Sequence, residues 1–80
     1  MSTDISIADI VVHLHPDNAG ECRDRIDAGL RAHDGVVSVH FNEEDHPHAL
    51  VVAYNPEVTS SNELLAEIRK CDKQAVMAGF

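Results

Sequence analysis

The stretch "VVSVHFNEEDHPHALVVAY", residues 36–54, sets two runs rich in β-branched residues around a polar turn that contains a proline. In "VVSVHF", Val37, Val39 and Phe41 alternate with their neighbours and share one face of a strand. "ALVVAY" is a further strand, and "NEEDHPH" is the turn between the two.

Working outward from this hairpin, "ADIVVHLH" places Ile10, Val12 and Leu14 on one face and Val11, His13 and His15 on the other. Asn18 and Glu21 have capping-box spacing, and an apolar stripe follows at Cys22, Ile26, Leu30 and His33. Gly29 lies beside that stripe, where it would suit a close helix–sheet approach, and Gly35 in "HDG" ends the helix. Beyond the hairpin, Ser60 and Glu63 form a second capping box, leading into Leu64, Leu65, Ile68 and Cys71. "QAVMAGF" closes the chain as a strand. The spacing predicts helices near 19–33 and 60–71, and strands near 6–15, 36–42, 48–54 and 73–79. The order βαββαβ defines an α+β fold, a ferredoxin-like sandwich with a four-stranded antiparallel sheet and two helices on one face. No repeat or linker interrupts it, so residues 1–80 read as a single domain.

A chain this short buries only about 60% of the surface it exposes when unfolded, so its core is thin. Fourteen acidic residues against six basic ones give a net charge of −8. Such a surface repels phosphate backbones and anionic lipid, which argues against nucleic acid and membranes as partners. It favours a metal ion or a protein with a basic patch. No apolar run is long enough to cross a membrane, and no basic-then-apolar leader marks export. The two cysteines could pair, but without an export signal the expectation is free thiols in a reducing, cytoplasmic setting. The sequence shows no nucleophile–base–orienter set and no phosphate-binding glycine loop, so an enzyme is not expected.

The segments "CRDRIDAGLRAHDGVVSVHF" and "VVAYNPEVTSSNELLAEIRKCDK" resemble the heavy-metal-associated domain of copper and mercury carriers and metal-pumping ATPases. Tyr54-Asn55-Pro56 and Thr59-Ser60 stand where that family has a Tyr-Asp-Pro-like turn and a Thr-Ser cap. The family holds soft metal through Met-x-Cys-x-x-Cys at the start of the first helix. Counting back from Ile26, Leu30 and Gly35, Cys22 falls on the second cysteine of that motif, Ala19 on the first and Asp17 on the methionine. Lys73 matches a lysine that some soluble copper carriers keep to offset the charge of the metal dithiolate. The resemblance therefore implies a variant lacking the first cysteine of the motif. Cu(I) and Hg(II) need two soft thiolates, so other ligands would have to complete a tight site.

The inferred topology brings one set of residues to a shared edge: His13, His15, Cys22, His46, His48 and Cys71. His33 would lie at the opposite end, and His40 only near the top of the edge strand. In His13-x-His15, and likewise in His46-Pro47-His48, side chains two residues apart on a strand are about 6.5–7 Å apart, close enough for two imidazoles to share an ion. Mixed imidazole and thiolate ligands suit Zn(II), Ni(II), Co(II) or Cu(II) better than Cu(I). The acidic turn Asn42-Glu43-Glu44-Asp45 could concentrate cations or supply an oxygen.

Each feature also has an ordinary reading. Cys22 and Cys71 sit on apolar stripes where free cysteine is a common core residue. His13 and His15 would occupy a solvated sheet face, and His46 and His48 flank a proline in an exposed turn. Two functions follow: a small carrier, buffer or sensor of a transition metal, or a module that kept the fold and lost the metal. The second would associate with another protein or a second copy of itself through its acidic edge or the open sheet face, where Val11, Val51 and Ala53 are apolar.

Overall fold

The computed structural model of the chain describes residues 7–42 and 48–78. The elements run β1 (Ala8–His13), α1 (Pro16–Arg31), β2 (Val36–Asn42), β3 (Ala49–Tyr54), α2 (Ser61–Arg69) and β4 (Val76–Ala78). The strands form one sheet in the order β2-β3-β1-β4, with every neighbouring pair antiparallel. This is the expected βαββαβ sandwich.

Alternation along β1 and β3 supplies the sheet's share of the core: Ile10, Val12 and Leu14, then Leu50, Val52 and Tyr54, all buried. Cys22, Ile26 and Leu30 of α1, with Leu64 and Ile68 of α2, join the same cluster, so both helices cover one face. In β2 the expected Val37–Val39–Phe41 face breaks. The pairing shifts between Val36 and Ser38, so Val37 is extra in its strand and 56% exposed. Val36 packs against the core in its place.

The second expected cap forms, with Ser60 as the N-cap of α2. Glu63 N donates to Ser60 Oγ at 3.2 Å, and the Ser60 hydroxyl reaches Glu63 Oε2 at 3.5 Å. The first does not. Helix α1 starts at Pro16, whose fixed φ suits the first helical position, and His15 is the N-cap, its Nδ1 accepting from Asp17 N at 3.1 Å. Asn18 is freed for a longer-range bond. Both helices end earlier than expected, at Arg31 and Arg69, which leaves His33 and Cys71 in the turns beyond them.

Gly29 is a point of close helix–helix approach rather than helix–sheet approach: a Cβ there would stand 2.8 Å from Glu67 Oε2 of α2. Gly35 turns the chain from α1 into β2 with φ +96°, and a Cβ would meet Thr59 Cγ2 at 2.9 Å. No helix among the described residues is long and apolar enough to cross a membrane.

Candidate functional site

The end of the sheet where β1 enters α1 carries the chemistry. There Cys22, in the second turn of α1, and Cys71, just beyond α2, are joined by a disulfide across 49 residues, with Cα atoms 5.8 Å apart. This corrects the expectation of free thiols: the fold does bring the two cysteines together, and they are bonded to each other. Cys22 is 5% exposed, while Cys71 is only partly buried. Cys71 lines two surface grooves, one with His15, Asp17, Asn18, Lys73 and Gln74, the other with Arg25, Ile26, Glu67 and Lys70.

Beside the bridge, Asp72 is fully buried. Its Oδ2 accepts from His15 N at 2.7 Å, and its Oδ1 accepts from Asn18 Nδ2 at 2.8 Å and Gln74 N at 3.0 Å. Burial pushes the carboxyl's pKa up. The bonds from the His15 amide, the Asn18 side chain and the Gln74 amide outweigh that push, and the pKa lies below the usual carboxylate range. Asp72 and the disulfide thus tie the end of α2 to the start of α1 twice within adjacent residues. The sequence reading missed Asp72. Its one local signal was an Asp two residues before Gln74, the spacing of a side chain that bonds its own backbone two residues on.

The histidines are spread over several surroundings. His13, paired with Ala49, lies between buried Val12 and Leu14 and so faces away from the helices. His15 lies past the end of β1, where its Nδ1 is taken up as the α1 cap. His48 is backbone-bonded to Leu14, its carbonyl accepting from Leu14 N at 2.8 Å. It lines a groove with Pro16, Ala19, Gly20 and Arg23, on the helix side. Strand pairing therefore brings His48 beside β1, as expected, but the sheet stands between it and His13. His46 and most of the acidic turn, residues 43–47, lie outside the described residues. His33 is at the opposite end, its Nε2 3.0 Å from Thr59 Oγ1, and His40 is exposed on edge strand β2. Among the described residues, no three His, Cys, Asp or Glu side chains are grouped closely enough to hold a metal ion.

No family model matches the chain, and no curated protein matches it. Solved structures do. The crystal structure of oxidized MerP from Ralstonia metallidurans CH34 superposes with a TM-score of 0.73 over 92% of this chain and 100% of its own, at 13% identity. The solution structure of a protein named as copper-ion-binding, from Bacillus anthracis str. Ames, does so with a TM-score of 0.70 over 92% and 99%, at 14% identity. At such identities the likeness defines the fold. The chain has the ferredoxin-like fold of these two structures. Its particular variant of that fold carries a long-range Cys22–Cys71 bridge at the end where α1 begins.

Proposed function

We propose that this chain is a small transition-metal-binding protein, acting as a carrier, buffer or sensor, with ligands drawn from Cys22, Cys71, His13, His15, His46 and His48. The observation that supports this reading is the meeting of two sulfurs from distant segments at one end of the sheet, in a fold shared with MerP and with a protein named as copper-ion-binding. As a disulfide the pair offers no thiolate, so sulfur ligation belongs to the reduced protein. A cytoplasmic location would hold it in that form, whereas an oxidising compartment would keep the bridge. Reduced, the pair and neighbouring imidazoles suit Cu, Zn, Ni or Co. A metal transporter with a basic patch is the partner that a net charge of −8 favours. The test is a calorimetric titration of reduced protein with Zn(II), Ni(II) and Cu(II), beside the His13→Ala/His15→Ala double variant and His33→Ala. The double variant should lose affinity while His33→Ala keeps it. Equal affinities in all three, or none in the parent, would sink the reading.

One observation favours a second function. The bridge uses both sulfurs, and the helix-free face of the sheet carries Val11, Val51 and Ala53, all partly exposed. A module that no longer binds metal and associates through this face, with another protein or with itself, would bind no ion in either redox state. It would show concentration-dependent mass in sedimentation if its partner is a second copy.

A further inference from the structure

The two ends of the bridge differ. Cys22 is 5% exposed and sits in the apolar cluster with Ile26 and Leu14, whereas Cys71 borders both grooves at that end. The first groove sets Lys73 with Asp17, and the second sets Arg25 and Lys70 with Glu67, Lys70 Nζ lying 3.1 Å from Glu67 Oε1. Thiol–disulfide exchange requires a thiolate to reach one sulfur, and the reachable sulfur decides the product.

We infer that the Cys22–Cys71 bridge is a thiol-exchange gate, opened from one side by attack on the Cys71 sulfur. An external thiolate forms a bond to Cys71 Sγ as the Cys22–Cys71 bond breaks, and Cys22 leaves as a thiolate that takes up a proton. A second external thiol then attacks the mixed disulfide at the first thiol's sulfur. That step releases Cys71 as a thiolate and the reductant as its own disulfide. Two electrons pass from a pair of thiols, or from one dithiol, to the protein, which ends with two cysteines reduced. Access through these grooves, rather than their mixed charge, directs the attacking thiolate to Cys71. The apolar surroundings of Cys22 shield its sulfur from an external thiolate while the bridge is closed. Asp72 holds the chain next to Cys71 in place, through bonds that do not involve either sulfur. Opening the gate is also what makes the sulfurs available to a soft cation, and this consequence rests on the metal-binding reading above.

The test begins with glutathione added to oxidised, native protein, followed by acid quench, alkylation and peptide mapping. Glutathione should appear on Cys71 and the alkyl group on Cys22. Glutathione on Cys22, or no adduct unless the protein is first denatured, would overturn the inference. In the single-cysteine proteins, Cys71 in Cys22→Ser should react with iodoacetamide at least about tenfold faster than Cys22 in Cys71→Ser. The peptide map on unaltered protein decides the matter if either variant fails to fold. Anaerobic Cu(I) should be retained by reduced protein and not by oxidised protein, and equal retention by both would overturn the gate. Retention by neither would sink the metal reading, while the adduct map still judges the exchange site separately.

Discussion

Asp72 holds the backbone amide of His15, 57 residues away in sequence, at 2.7 Å. The same carboxylate accepts from Asn18, so the end of α2 anchors both the residue that caps α1 and a side chain in its first turn. Tight ties at this end matter in a domain whose core is thin for its length.

Replacing Asp72 by alanine should cost about 2–3 kcal/mol, because a buried carboxylate with three donors is lost and those donors are left unpaired. Urea unfolding measures it. A loss under about 0.5 kcal/mol would mean that water replaces the carboxylate without penalty.

The same group sets an acid limit. Its folded pKa is lowered, so its contribution is complete above the unfolded aspartate value of about 3.9 and is lost as pH falls through the lower folded value. Stability followed from pH 6 to about pH 2 should fall less steeply in Asp72→Asn than in the parent. Identical slopes would remove Asp72 from the account.

The disulfide closes a loop with a sequence separation of 49, for which chain entropy gives a stabilisation of about 4 kcal/mol. Reduction, or Cys22→Ser, should therefore lower the thermal midpoint by well over 10 °C in a domain of this size. Calorimetric scans with and without reductant check this, and equal midpoints would mean that the bridge does not restrain the unfolded chain.

Two glycines should respond in opposite directions. Gly20 is exposed inside α1 with nothing within 4 Å of an added Cβ, so Gly20→Ala should stabilise by about 0.5–1 kcal/mol. Gly35 has φ +96° and would press a Cβ against Thr59 and Val58, so Gly35→Ala should destabilise by about 1–3 kcal/mol. Chemical denaturation of both reads the signs.

Ala19 is one helical turn before Cys22, on a side of α1 that packs partly against the core. Ala19→Cys should raise the Cu(I) affinity of reduced protein sharply, since it adds to the Cys22–Cys71 pair a thiolate at the i,i+3 position from Cys22. Competition against a Cu(I) chelator measures the gain. No gain would show that Cys22 does not occupy the position of the second motif cysteine.

By itself the sequence determined the order of elements and most of the core. Alternation in β1 and β3, the apolar stripes of the helices and the Ser60–Glu63 cap are local patterns, satisfied within a few residues, and the structure follows them. It could not determine what depends on distant partners. His15 displaced Asn18 as the cap of α1 because Asn18 found Asp72, 54 residues on. Val37 left its face because β2 carries one residue more than β3 can pair. Cysteines on apolar stripes look alike in sequence whether they end as free core residues, ligands or a bridge. Only the packing of α1 against the end of α2 put Cys22 and Cys71 within bonding reach. The pairing of β3 with β1 likewise decided that His48 stands opposite Leu14 on the helix side and His13 opposite Ala49 on the open face. The physical reason is that periodicity assigns a residue to a face of its own element, whereas register and helix packing assign its neighbours, and a site is made of neighbours.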